Sequence, residues 1–484
     1  MREIQDNINL SGEWVPISPE TREQQKQNEI CNIFEVDVNQ LKLVPWLDVH
    51  ELRNWFYSAK YFNRASELVR NLDDKEGANV KMQIFQKTNN ATIAWVDLVS
   101  NLLKLTAWEY RDPKQAEQLF WQYQDIKNKL NNAVNLWEDY QRQKSLMEQK
   151  LELQKQLDAL WKPALDEIQI HVEVPDQWKS QKNKPVMKLE WPYKYIAKME
   201  SVYLGLLARA TKIATNSREI TNAAGDKPVL FFADRFDSFN TQPLDGYAAF
   251  VGGVKGVATD AQWSFFEVPG MWTIPHALIA SYNQDTPRAT FDFSEKYPDV
   301  PLIALVDFHN NCPKTSIETA KFLKDNWKDL YAVRLDTSGS LVDEWVLFSN
   351  EIMQKYFSPE QIESFRTNYL HNKSQNNVQN NSLLSRDDLS KLKEKGLTWV
   401  CGELVNLVRQ QLDEAWFEDV KIIVSWWFNK EKINYFEENW IPADWYWVGS
   451  SILANTYVSD NGDFTADVVK VNNQDMAKVG RKEI

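Results

Sequence analysis

The 484-residue chain reads as an α/β protein built on a parallel sheet, closed or open, behind an α+β unit that carries a helical insert. Three observations predict this. From about residue 228 short apolar runs recur, and helical stretches such as "SIETAKFLKDNW" and "ELVNLVRQQLDEAWF" separate several of them. Buried strands alternating with helices argue a parallel sheet. Between 112 and 161 the composition turns to Gln, Lys, Glu and Leu, and Leu146, Leu153, Leu157 and Leu160 repeat at spacings of 7, 4 and 3, a heptad-like seam. Hydrophobic content of 43% and charged content of 25% are those of an ordinary globular chain.

Taken in order, residues 1–40 form a polar lead-in. Residues 41–225 form the α+β unit. In it "DVHELRNWFYSAKYFNRASELVRNL" reads as helical, and "NVKMQIFQ" and "ATIAWVDLV" read as strands. The seam at 112–161 is expected to be a helical hairpin packing on itself or on a sister chain. Short strands "EIQIHVEV" and "KPVMKLEW" follow, then a helical run ending at Gly225 as a C-cap. Residues 226–455 form the α/β domain. Its strand candidates are "PVLFFADR", "AAFVGG", "MWTIPHALI", "PLIALVDF", "YAVRLD", "VKIIVS" and "DWYWVGSSIL". Residues 371–383 are an Asn-rich polar loop. Residues 456–484 read as a terminal hairpin returning to the first unit.

A net charge of −13 leaves no global basic field for nucleic acid or anionic lipid. Cys31, Cys312 and Cys401 are too widely spaced for a metal or disulfide framework, which fits a reducing compartment. The opening "MREIQDNINLSGEW" lacks a signal h-region, and no apolar run approaches the roughly 18 residues of a membrane span. A cytoplasmic location is expected. One compositional feature is unusual. Glycine numbers only 15, where a usual share of roughly 7% would give about 34, while tryptophan numbers 21.

Polar residues end the strand candidates: Asp234 and Arg235, Asp307, Arg334 and Asp336, Ser425, and Gly449 with Ser450. The carboxyl ends of parallel strands are where an α/β barrel builds its site, with phosphate commonly held after the last two strands. A single Asp there is more often a helix N-cap. Five strands ending this way favour a site for a polyanion with hydroxyls, Arg serving phosphate or carboxylate and Asp serving hydroxyls or Mg²⁺. His276 sits in "TIPHAL", three residues after Thr273. A lone histidine in an apolar stretch is more often structural, and pattern alone leaves both roles open.

As a set and in this order, "KYFNR" (60–64), "MQIFQK" (82–87), "PVMKLEWPY" (185–193), "YLGLLARATKIATNSR" (203–218), "DGYAAFVGG" (245–253), "GMWTIPHALI" (270–279), "LIALVD" (302–307), "VRLDTSGSL" (333–341), "VKIIVS" (420–425), "VGSSI" (448–452) and "DFTADVVKV" (463–471) resemble the nicotinate phosphoribosyltransferase family. The resemblance covers residues 45–110 and 165–484. It implies a type II phosphoribosyltransferase fold, an irregular α/β barrel with an N-terminal α+β domain, in a homodimer with composite active sites. It implies transfer of phosphoribosyl from phosphoribosyl pyrophosphate to nicotinate, with ATP as co-substrate and Mg²⁺ as cofactor, in NAD biosynthesis. His276 matches a transiently phosphorylated histidine, which reverses the structural prior. Arg235 matches an arginine near the nicotinate carboxylate or diphosphate, and Arg334 a substrate-contacting arginine. Asp307 and Asp336 match acidic positions facing ribose and metal. Ser425, Trp426 and Trp427, and Gly449 with Ser450, match the loops that hold the 5′-phosphate. Thr273, Ser338 and Gly339 fall in matched segments as substrate-binding positions. Tyr57 or Tyr61 matches an aromatic that stacks on the pyridine from the neighbouring subunit. The alternatives are a phosphoribosyltransferase for nicotinamide or quinolinate, or an inactive relative serving as a dimeric scaffold through the 112–161 helices. Length and the "TIPHAL" match argue against quinolinate.

This sequence departs from the family where glycine is expected. Trp426 and Trp427 replace a glycine pair, and Trp55, Trp95, Trp178, Trp191, Trp272, Trp399, Trp416, Trp440 and Trp447 also stand at such positions. Some bacterial lineages read UGA as glycine and other codes read it as tryptophan. A recoded gene would therefore produce both the glycine deficit and the tryptophan excess. Genuine tryptophans in a degraded relative are the competing explanation.

Overall fold

The computed structural model describes residues 48–70, 78–106, 108–163, 168–264, 273–375, 382–454 and 463–484. The polar lead-in, Cys31 and Trp272 lie outside them. The strands in chain order are β1 (Asn79–Gln86), β2 (Trp108–Tyr110), β3 (Trp161–Pro163), β4 (Gln169–Val172), β5 (Pro185–Pro192), β6 (Val229–Phe231), β7 (Gly256–Val257), β8 (Ile303–Leu305), β9 (Ala332–Leu335), β10 (Lys421–Val424), β11 (Trp445–Val448), β12 (Phe464–Val471) and β13 (Gln474–Asp475).

The first unit is an antiparallel sheet in the order β13-β12-β1-β5-β4. Alternation in β1 buries Val80, Met82 and Ile84 against helix Val96–Thr106 and the start of helix Glu200–Ala224. Strand β12 comes from the far end of the chain and pairs with β1 from Val471↔Val80 to Phe464↔Gln86. The insert is a hairpin of helices Pro113–Asn135 and Tyr140–Leu160. Its leucine seam packs inward, Leu157 on Phe120 and Tyr123, and Leu146 on Leu130 and Ala133. It docks on the first unit through Lys127, whose ammonium lies 2.8 Å from Asp48 and 2.7 Å from Glu51.

The second unit is a six-stranded parallel sheet in the order β7-β6-β11-β10-β9-β8. Helices cover its outer face, and a small cluster of Leu230, Ile303, Ala332, Ile423 and Trp447 fills the inner one. No pairing joins β7 to β8 among the described residues, so the sheet is an open, curled half-barrel.

Three strand expectations fail for physical reasons. "AAFVGG" belongs to helix Gln242–Val251, with proline in its first turn. The small residues there serve close helix packing: a Cβ on Gly252 would stand 2.3 Å from Ser217 Cβ. In "ATIAWVDLV" only Thr92 makes a strand-like bridge, and a helix starts at Val96. The carboxylate of Asp176 accepts bonds of 3.0 Å from the N–H groups of both Trp95 and Val96, capping that helix from 80 residues away. In "MWTIPHALI" a short helix, His276–Ser281, follows Pro275. The Asn-rich loop is also shorter than expected, because helix Pro359–Ser374, opened by a Ser358–Gln361 capping box, runs into it.

Asp176 also accepts a bond of 2.9 Å from Tyr247 Oη, and burial pushes its carboxyl up to about 6. Asp176→Ala orphans two buried N–H groups and a hydroxyl. It is expected to cost about 3 kcal/mol, read as a lower denaturant midpoint at unchanged slope.

Candidate active site

Because the six strands are parallel, their carboxyl ends share one edge of the sheet. The order β6-β11-β10-β9-β8 then sets the polar strand ends side by side. Arg334 follows the inward-facing Ala332 by two residues and so points into the half-barrel. Its guanidinium is buried 5.3 Å from the ring of Trp447 and 5.6 Å from that of Phe232. Its Nη2 lies 3.7 Å from Asp336, and its Nε has no partner. Ser425, one strand over, donates 2.5 Å to Asp336 Oδ1 and 2.9 Å to the Leu335 carbonyl. The tips of β9 and β10 are thereby tied together.

His276 reaches the same edge from the start of helix His276–Ser281. Its Nε2 lies 3.1 and 3.2 Å from the carboxylate oxygens of Asp307, which is itself buried. The hydrogen bond to Asp307 raises the imidazole pKa above its usual 6.5. Burial opposes this, the charges of Asp307 and Asp336 add to it, and Arg334 opposes it. A histidine pKa raised by folding contributes stability that is fully present below 6.5 and is lost as pH rises through the folded value. Asp307→Asn is therefore expected to lower the midpoint of the His276 titration followed by imidazole NMR. An unchanged midpoint would mean that the pair does not form in solution.

The two late loops are also joined. Ser451 donates 2.7 Å to the Phe428 carbonyl, and Asn429 caps helix Lys430–Glu438 by accepting from Lys432 N–H. Gly449 has to be glycine: a Cβ would lie 2.7 Å from the Phe236 ring and 2.9 Å from the Phe232 carbonyl. Ser450, half-buried, opens the helical turn that follows. Trp426 and Trp427 bend away from Ser425 with φ of 72° and 54°. The indole Nε1 of Trp426 is buried without a partner, and the side chain of Trp427 is largely exposed.

The remaining predicted positions are less tightly placed. Arg235 is exposed beyond β6. Thr273 is half-buried with an unpartnered hydroxyl. Ser338 and Gly339 form the loop after β9, where Ser338 meets Ser340 at 3.1 Å and the Trp399 indole lies over Gly339. Tyr57 and Tyr61 are not at the strand tips. They are exposed on the first unit, where Tyr57 donates to Glu51 and Tyr61 packs on Phe62. Sequence reasoning missed the aromatic lining at the tips, Phe232, Phe236 and Trp447. The inward alternation of Trp445 and Trp447 in β11 was the available signal for Trp447.

Among the described residues no three His, Cys, Asp or Glu side chains cluster as a metal site. Mg²⁺ does not need three: it is usually held by one or two carboxylates, with substrate phosphates and water completing the shell. Asp307 and Asp336, both acting on the His276 charge, fit that requirement.

No family model matches the chain. In sequence it is similar to the nicotinate phosphoribosyltransferase of Bacillus subtilis (strain 168), 28% identical over 161 residues, which are 33% of this chain and 32% of that protein. The match thus spans about a third of the curated relative. In structure it is similar to nicotinate-nucleotide pyrophosphorylase from Pyrococcus furiosus, with a TM-score of 0.58 and 20% identity over 90% of this chain and 80% of that one. It is also similar to human nicotinic acid phosphoribosyltransferase, with a TM-score of 0.53 and 12% identity over 87% and 76%. The resemblance read from the sequence is borne out, and the fold is the irregular α/β half-barrel of the type II phosphoribosyltransferases. No helix among the described residues is long and apolar enough to cross a membrane.

Proposed function

We propose, from a chain that resembles the nicotinate phosphoribosyltransferases and has a type II phosphoribosyltransferase fold, that it transfers phosphoribosyl from phosphoribosyl pyrophosphate to nicotinate in NAD synthesis. The observation that carries this reading is the row of tied strand tips: Arg334, Asp336 and Ser425 on neighbouring strands, with His276 and Asp307 beside them. Breaking the bond from ribose C1 to diphosphate develops positive charge on the sugar and negative charge on the leaving group. The chain answers with carboxylates facing the ribose, in fixed geometry.

Mg²⁺ would be held by Asp307 and Asp336 and would neutralise the diphosphate. The loops at 425–427 and 449–450 hold the 5′-phosphate, and Arg334 in its aromatic slot takes the anionic end of a flat substrate. His276 uses ATP. Since Nε2 is engaged by Asp307, Nδ1 is the nitrogen that accepts the γ-phosphoryl group as ADP leaves. That nitrogen must be unprotonated, so ATP coupling rises with pH through the raised His276 pKa. Exposed Tyr57 and Tyr61 suit a second copy of the chain, whose site they would complete in a dimer.

The test is product formation from phosphoribosyl pyrophosphate and Mg²⁺, with and without ATP, offering nicotinate, nicotinamide and quinolinate separately. The expected result is mononucleotide from nicotinate, enhanced by ATP. Preference for quinolinate with loss of carbon dioxide reassigns the substrate. No product from any of the three favours a scaffold.

A further inference from the structure

Positive φ is uncommon outside glycine, is several-fold enriched in Asn and Asp, and for a bulky side chain is an outlier. Among the described residues every non-glycine residue with positive φ is Asn, Gln or Trp. The Asn residues are the ordinary kind. Eighteen of the 21 tryptophans are described, all but Trp14, Trp46 and Trp272, and nine of those 18 have positive φ. The chain also holds 23 Phe and 17 Tyr, and no described one of either has positive φ. Bulk, aromaticity and apolar character are therefore not the cause.

Where these tryptophans fall is more telling than how many there are. Trp55, Trp137, Trp327, Trp416 and Trp440 each stand one residue past the C-cap of a helix. That is the position a left-handed glycine fills in the Schellman motif, where the N–H of the next residue bonds five residues back. The bonds are all present. After helix Cys312–Asp325, Trp327 N donates 3.1 Å to the Lys324 carbonyl and Lys328 N donates 3.0 Å to that of Leu323. The long bond recurs as Phe56 to Glu51, Glu138 to Ala133, Phe417 to Leu412 and Ile441 to Phe436, each at 2.9 or 3.0 Å. Helix Arg386–Glu394 ends in the same way, with Leu397 bonded to Leu392 at 3.0 Å, but its left-handed residue is Gly396, φ 70°. Helix His276–Ser281 has the same stop with Asn283 as its left-handed residue, and of the seven only helix Arg386–Glu394 carries glycine there.

At three of the helix ends the side chains do little in return, whereas Trp95 is fully buried against Tyr247 and Trp55 lies under the Lys198 ammonium. Trp137, Trp327 and Trp440 are 91%, 96% and 91% exposed. At 399 the indole sits where it crowds Gly339, whose Cβ, were there one, would lie 1.5 Å from the indole nitrogen. Trp178, Trp191 and Trp447, also at family glycine positions, have ordinary φ, and the backbone makes no demand for glycine there.

We propose that positions 55, 95, 137, 327, 399, 416, 426, 427 and 440 are glycine in the polypeptide as its own cell makes it, each encoded by a UGA codon read as glycine. Seven of these positions are family glycines, and Trp137 and Trp327 are added by backbone geometry alone. The consequence for the site is direct. Glycine at 426 and 427 removes two indoles from the loop that follows Ser425 and leaves that loop as bare backbone. Glycine at 399 uncovers Gly339 and the loop after β9.

The experiment reads the nine codons in the gene and the corresponding peptides, by tandem mass spectrometry, in protein taken from the source cells. UGA codons and glycine-containing peptides are expected. UGG at 426 and 427, UGG at most of the nine, or tryptophan in the peptides overturns the proposal. Expression offers a second readout. In a host that stops at UGA, the unaltered gene yields only fragments ending before residue 55 or earlier, whereas a full-length product there overturns it. A UGG result leaves phosphoribosyl transfer to its own assay.

Discussion

A chain with glycine at 426 and 427 forms mononucleotide at least about 100-fold faster than the same chain with tryptophan there. On the proposed reading the loop presents backbone N–H groups to a phosphate oxygen at hydrogen-bond distance, about 2.9 Å. It runs only from Ser425, tied to Asp336, to Asn429, which caps the next helix. Both ends are fixed, so the loop cannot swing two indoles clear without losing one of those ties. Displacing a bound reactant by about 1 Å is enough to lose on the order of 10²-fold in rate. The loss should fall on binding of the phosphoribosyl donor, raising its KM more than it lowers kcat. Tm and far-UV circular dichroism of both variants separate this from misfolding. Equal rates in two folded variants would place the 5′-phosphate elsewhere.

Much of the fold is legible because local signals agree with it. Alternation marks β1, leucine spacing marks the insert, and short apolar runs ending in polar residues mark β8, β9 and β10. Two of the failures share one cause, an interaction with a partner distant in sequence. The carboxylate that starts the helix at Val96 belongs to Asp176. The run "AAFVGG" is apolar because Gly252 lies against Ser217 and Ala214 on another helix, not because it is a strand. No window of ten residues contains either fact.

The site was legible at the level of strand ends and not at the level of contacts. Sequence position puts Asp336 and Ser425 each at the end of a strand. Only the β9–β10 pairing, with Val424 opposite Leu335, shows that the two must touch. His276 is the opposite case. Its apolar setting argues for a structural role, yet the structure leaves it half-exposed at the strand tips with its ring held by Asp307. The tyrosines are exposed on the first unit, away from the strand tips, and nothing in their own segment tells a stacking residue from a surface one.

Replacing Trp137, Trp327, Trp416, Trp427 and Trp440 together with glycine stabilises the protein, by about 3 kcal/mol. A left-handed conformation costs an L-residue roughly 1–2 kcal/mol, which glycine does not bear. Glycine in turn loses more backbone entropy on folding, roughly 0.5–1 kcal/mol. The difference is about 0.5–1 kcal/mol per site. Little burial offsets it, since all five side chains are largely exposed. Trp95 is left out because it is fully buried against Tyr247, and truncating a buried tryptophan costs about 3–5 kcal/mol. The four helix-end sites close separate helices and the fifth lies in the loop after β10, so the increments should add to within about half a kcal/mol. Denaturant melts of the five-site variant and its parent measure the effect as a higher midpoint at equal slope. Alanine at the same five positions supplies the control. It removes the indole but keeps the Cβ, so it should recover almost none of the gain. If alanine stabilises as much as glycine, the exposed indoles rather than the left-handed backbone are the burden, and the geometric case for glycine fails at these helix ends.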